Sequence, residues 1–313
     1  MKNSVIAPAL LIAAMLSLVL FRRVLFGYAV YEPGYSGAGY IIYNGGRYLP
    51  ERFFILAFTS YVFAFVIPVL FYIKLFKSEG YTKELYFRLP GIRNAALAVY
   101  GAGALICGAA FFGSLAYYTG GPRAAVIDAG GNPVYDISAV VAFVLLPAVC
   151  EEIMFRSVMA REYEQYGALP ACLVSSAAFA MLRFSFAALP AYFTAGVILY
   201  ILAKISGSIL PSIIAHAAYN FFSLYIWGRL SNVLRFEQNR LVFMFVVGAF
   251  FIIFIAALVN KAEHIYYKKA YANEPAPERL PGKPPARFRA VFLSPVFLAA
   301  LILYFIIAAT AQI

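Results

Sequence analysis

Residues 140–161 read VVAFVLLPAVCEEIMFRSVMAR. The run is apolar on both sides of Glu151 and Glu152 and lacks the period-two alternation of a half-buried strand. Apolar runs of about 20 residues fit a helix crossing the bilayer's hydrocarbon core. Such runs recur along the whole chain. Of its 313 residues, 64% are hydrophobic and 12% charged, and the mean hydropathy is +0.81. A soluble domain carries about 25% charged residues, so this chain has too few to clothe a water-facing surface. Lipid cannot satisfy backbone N–H and C=O groups, so only helices or a closed barrel can span it. Long continuous runs select helices. The expected fold is an all-α polytopic bundle of about eight or nine transmembrane helices.

Working outward from this run, the hydropathy places spans at 5–21, 53–76, 95–117, 137–159, 169–186, 190–206, 209–227, 241–260 and 290–310. The first run ends in Phe21-Arg22-Arg23 without a small-residue cleavage site, so it is expected to be an anchor rather than a signal peptide. Pro68 and Pro147 are expected to disturb their helices. Residues 22–52 form a Tyr- and Gly-rich loop, and PAPERLPGKPPARFR (275–289) reads as an extended basic loop. The organisation is N-terminal transmembrane helices in 1–134, core helices in 135–230, and C-terminal helices with the basic loop in 231–313. Stretches between spans are too short to be independent domains, so any chemistry belongs to the bundle or its rim.

The net charge of +11 sits in loops beside apolar runs. There cations set topology and meet anionic headgroups, so the lipid bilayer, and no nucleic acid, is the expected partner. Lys77, Lys83, Arg88 and Arg93, with Lys261, Lys268, Lys269, Arg279, Lys283, Arg287 and Arg289, place the N-terminus in the cytoplasm; Arg22 and Arg23 oppose that count. Cys107, Cys150 and Cys172 lie in apolar segments and read as small helix residues.

Ionisable groups inside a span cost about 2.5–3.5 kcal/mol each on insertion scales and are functional candidates by default. They concentrate in one third of the chain. Glu152 and Arg156 stand four apart and can pair along one helix. Glu151 is turned about 100° away, toward the bundle interior. A bland alternative is that these charges only mark a helix end reaching water. His216 and Asn220, also four apart, share a face of the seventh span, where a helix-to-helix hydrogen bond is the ordinary use of a span histidine. Arg183 ends the apolar run of the fifth span, where it could snorkel to the interface.

EEIMFR (151–156), FAMLR (179–183) and HAAYN (216–220), on the fourth, fifth and seventh spans, resemble the three motifs of the CPBP family of intramembrane proteases, also known as Abi or type II CAAX prenyl endopeptidase-like proteins. The resemblance covers about 135–230. It implies an endopeptidase in which Glu151 activates the attacking water, Glu152 and Arg156 support it, and His216 with Asn220 stabilises the oxyanion. It also implies a peptide or membrane-protein substrate and, from the bacterial relatives, a bacterial plasma membrane. The departure is Arg183, which stands where the family has histidine. Arginine is neither a general base nor a metal ligand, and with one histidine left in the bundle no metal cofactor is expected.

Arg183 leaves two readings open. In one, Glu151 alone activates water while Arg183 keeps it ionised or binds substrate carbonyls and carboxylate. In the other, Arg183 locks Glu151 in an ion pair in a catalytically inactive relative that acts as a binding, immunity or scaffold protein. An ion- or proton-coupled transporter would also use midplane charges, and Cys150 with His216 would make a thiol protease. The first lacks a repeated motif in the other half of the chain, and the second is disfavoured by the apolar setting of Cys150.

Overall fold

The computed structural model describes residues 7–22, 40–43, 46–76, 92–117, 126–128, 133–227, 230, 237–271 and 293–311. These form a helical bundle with one small sheet. The helices are α1 (Pro8–Leu20), α2 (Pro50–Phe76), α3 (Ile92–Tyr117), α4 (Pro133–Glu164), α5 (Ala168–Met181), α6 (Leu189–Ser206), α7 (Leu210–Phe221, continued by a π turn over Phe222–Ile226), α8 (Glu237–Tyr271) and α9 (Pro295–Ala311). Each expected span has its helix. Five described helices are long and apolar enough to cross a membrane on their own.

Proline shapes the long helices. It stands in the first turn of α1, α2, α6 and α7, where its missing N–H is an orphan donor in any case. Inside α2 and α4 it acts differently. Val62–Val66 and Val140–Leu145 are π turns, each lying just before a proline, Pro68 and Pro147. A proline ring collides with the carbonyl four residues back and offers it no donor, so the preceding turn widens to i→i−5 bonding. The amide of Ile67 accordingly bonds Val62 O, and that of Leu146 bonds Val141 O.

α4 lies at the centre, with α2, α5 and α7 around it. α3 packs on α6, α7 and α8, and α1 on α2 and α9. α5 has only 14 residues, about 21 Å of helix, against a hydrocarbon core of about 30 Å. Most of α5 is buried in protein, including Val174, Ala178, Phe179 and Ala180. Its environment is the bundle, so it need not span. α8 shows the opposite case: Leu241, Val242, Phe245, Ile252 and Ile253 are exposed on it, as suits a face toward lipid tails. α8 also runs to Tyr271, beyond the expected end at 260, because Lys261 to Tyr271 contains no proline or glycine to stop it.

Three short strands were not expected. β1 (Tyr40–Tyr43), β2 (Gly46–Tyr48) and β3 (Val126–Asp128) form an antiparallel sheet in the order β2-β1-β3, with Ile41 opposite Tyr48 and Ile127. β2 leads directly into α2. Strands this short carry almost no periodic signal, and β3 is distant in sequence from its partner. The basic loop at 275–289, the connection after 76 and Arg23 fall outside the described residues.

Candidate active site

Glu151 and Glu152 stand where the regular helix Leu146–Glu152 of α4 gives way to a π stretch over Ile153–Ala160. Both are buried, with 2% and 0% of their surface exposed. Arg156 Nη1 lies 3.2 Å from Glu152 Oε1, the pair expected one turn apart on this helix. His216 Nδ1, from α7, reaches the same oxygen at 3.0 Å. Arg156 is held from two further sides: its Nη2 donates to Gly196 O of α6 at 3.2 Å, and its Cζ lies 4.6 Å from the centre of the Phe179 ring of α5. Four helices therefore converge on one ion pair.

Gly196 makes that convergence possible. A Cβ there would stand 2.7 Å from Ser176 Cα, closer than carbon atoms approach. Only glycine lets α6 come near enough to α5 to offer its carbonyl to Arg156, a known use of small residues between membrane helices.

Glu151 faces the other way. Arg183 Nη2 donates to its Oε2 at 2.9 Å, and the Tyr61 hydroxyl of α2 donates to its Oε1 at 3.4 Å. His216 Nε2 stands 3.9 Å from Oε2, beyond direct hydrogen bonding. His216 thus bridges the two carboxylates, one ring nitrogen toward each. A carboxylate at Nδ1 holds a proton on that nitrogen and turns Nε2 toward Glu151. Two guanidiniums match two carboxylates, which limits the cost of burying them.

Arg183 reaches Glu151 because α5 stops early. The expected span ran to 186, but the helix ends at Met181, and Phe184 adopts φ 50°. The amides of Arg183 and Phe184 bond back to Ala180 O and Met181 O. These are tight i→i−3 bonds, and Phe184, two residues past the C-cap Leu182, takes the left-handed conformation that glycine usually adopts. The buried Phe184 side chain (7% exposed) offsets the strain of about 1 kcal/mol. The turn brings the guanidinium back over the helix end, 4.6 Å from the Tyr192 ring centre. About 25% of the Arg183 side chain is exposed, whereas His216, Glu151, Glu152 and Arg156 are almost fully enclosed.

The structure brings Glu151, Glu152, Arg156, Arg183 and His216 into one cluster. Asn220 makes its hydrogen bond elsewhere. It shares the face of α7 with His216, and its Nδ2 donates to Val144 O in the π turn before Pro147, at 3.3 Å. Sequence reasoning missed Tyr61, Tyr192 and Gly196. The available signals were general: a tyrosine hydroxyl in a span needs a partner, and a glycine amid bulky span residues marks a close approach. Phe179 was visible only as a motif letter, yet it touches Arg156, Arg183 and His216.

Residues 133–222 match the family model described as type II CAAX prenyl endopeptidase Rce1-like. This segment belongs to the CPBP family. The match starts at the first residue of α4 and ends just inside the π turn of α7. It contains every candidate residue named from the sequence, whereas Tyr61 lies outside it. No curated protein and no solved structure matches the chain. Over this segment the chain is similar to the CAAX-protease-like intramembrane proteases, and its long apolar helices make it a multi-pass membrane protein.

Proposed function

We propose that the chain is an intramembrane endopeptidase of a bacterial plasma membrane that hydrolyses a peptide or membrane-protein substrate with water activated by Glu151, without a metal cofactor. The observation that carries this reading is the facing pair Glu151 Oε2 and His216 Nε2, 3.9 Å apart inside an enclosed CPBP-type cluster. That gap is too long for a direct bond, and one water oxygen can meet both atoms at hydrogen-bond length. Glu151 takes a proton from the water as its oxygen adds to the scissile carbonyl carbon. With its proton on Nδ1, His216 Nε2 accepts a hydrogen bond from the water and helps aim it; protonated on both nitrogens, it donates from Nε2 to the oxyanion that forms. When the C–N bond breaks, the proton held by Glu151 passes to the leaving amine, giving a carboxylic acid and an amine.

Glu152 and Arg156 act as positioning residues, fixing the ring of His216 through its Nδ1. Asn220 serves the oxyanion site only if its side chain leaves Val144 O; where it stands, it ties α7 to α4.

The 2.9 Å ion pair between Arg183 and Glu151 favours a second reading, an inactive relative whose cluster binds a partner. The deciding experiment compares peptide termini in membranes of cells expressing the native protein and Glu151→Gln at equal level. Cleavages that vanish with the substitution support the protease. Identical profiles reject it and leave the binding role.

A further inference from the structure

Glu151 is spoken for on both oxygens, by Tyr61 and by Arg183. Of the charged groups in the cluster, Arg183 alone has substantial exposure, with a quarter of its side chain at the surface. A ligand entering on that side meets the Arg183 side chain before it meets the carboxylate. Glu151 uses one nitrogen of that guanidinium, Nη2; Nε has no hydrogen-bond partner among the described residues and is itself enclosed, so an entering anion competes with Glu151 at the outer nitrogens. Arginine presents five N–H donors in a planar fork that fits a carboxylate on two of them. The aromatic rings of Tyr192 and Phe179, 4.6 and 5.5 Å from Cζ, hold the fork's plane without using its donors. The result is an oriented, partly engaged anion receptor beside the proposed base.

We infer that Arg183 is a specificity residue that selects substrates carrying a carboxylate near the scissile bond, and that this carboxylate draws the guanidinium off Glu151. The inference rests on the proposed protease reading for its meaning, although the binding step stands without it. Histidine at this position, the family's residue, would offer one ring N–H in place of the fork, so Arg183 gives this chain a preference its motif alone does not carry. The carboxylate can belong to an acidic side chain or to the peptide's C-terminus. In either case the ligand competes with Glu151 for the same cation. Removing the charge of Glu151 therefore strengthens ligand binding while abolishing catalysis.

The test uses the full chain in lipid nanodiscs and a fluorescein-labelled pentapeptide of alanine and leucine. The peptide is made as the free acid, as the amide, and as the amide with one internal glutamate. Glu151→Gln should bind the carboxylate peptides at least about tenfold more tightly than the native protein does, as follows from freeing a charge-assisted hydrogen bond. The neutral amide should bind both alike. The double variant Glu151→Gln/Arg183→Gln leaves no unpaired buried charge, and it should lose the preference for carboxylate. The free acid and the internal glutamate tell the two ligand sources apart. Equal binding of acid and amide by Glu151→Gln, or a preference that survives in the double variant, overturns the inference. Cleavage without acid preference likewise overturns it and leaves the protease standing. Acid-selective binding without any Glu151-dependent cleavage supports the inference and rejects the protease.

Discussion

Replacing Gly196 with alanine would set a methyl group 2.7 Å from Ser176 Cα and 2.8 Å from its Cβ, where contact begins near 3.4 Å. The obstacle is backbone, so no rotamer change relieves it, and α5 and α6 must part by about 0.7 Å or more. Overpacking of this kind costs about 1–3 kcal/mol. The same movement draws Gly196 O away from Arg156 Nη2, already at 3.2 Å, and a hydrogen bond to a charged group contributes about 1.5–3 kcal/mol. Against this stands the gain from alanine's better helix propensity, about 1 kcal/mol. The balance is a loss of about 1.5–5 kcal/mol. Gly248→Ala is the control, since its Cβ would meet Phe111 at an ordinary 3.4 Å; it should be neutral or stabilising by up to about 1 kcal/mol. The assay is reversible unfolding of both variants in the same detergent micelle. If Gly196→Ala unfolds at the native midpoint, the close approach of α5 and α6 does not hold Arg156, and the argument for the site's scaffold fails.

Other outcomes follow from the same geometry. Glu152→Gln strips the carboxylate from buried Arg156 and should cost about 3–5 kcal/mol, as breaking a buried pair does. The double variant Glu152→Gln/Arg156→Met should recover part of that loss, and a double-mutant unfolding cycle that comes out additive would reject the coupling. Tyr61→Phe removes a long hydrogen bond of 3.4 Å but keeps the stacked ring against Phe65. It should change stability by less than about 1 kcal/mol while lowering the rate of any Glu151-dependent cleavage. Gly207→Ala, at φ 65° just past α6, has open space around it yet should cost about 1 kcal/mol from backbone strain alone, read by thermal unfolding.

The bundle was legible because membrane insertion is a local property. Twenty apolar residues prefer lipid whatever their neighbours do, so hydropathy alone located α1 to α9. The i,i+4 pairing of Glu152 with Arg156 was legible for a related reason, since one helix turn supplies both side chains. Pro68 and Pro147 announced their disturbed turns through a missing N–H, although not that the turns would be π. The strand pairing of Tyr40–Tyr43 with Val126–Asp128 was not legible, because its hydrogen bonds exist only once the helices have brought those segments together.

The site divides along the same line. The sequence by itself determined that ionisable groups gather on α4, on α7 and at the end of the fifth apolar run, and which side chains lie on a common helix face. Only the tertiary structure decided that His216 stands between the two glutamates, that Asn220 turns to Val144 O, and that Tyr61 joins from α2. It also decided that α5 ends at Met181, so that Arg183 folds back onto Glu151. Those outcomes depend on how closely helices approach and where one stops, which the backbone of Gly196 and the left-handed turn at Phe184 settle in three dimensions.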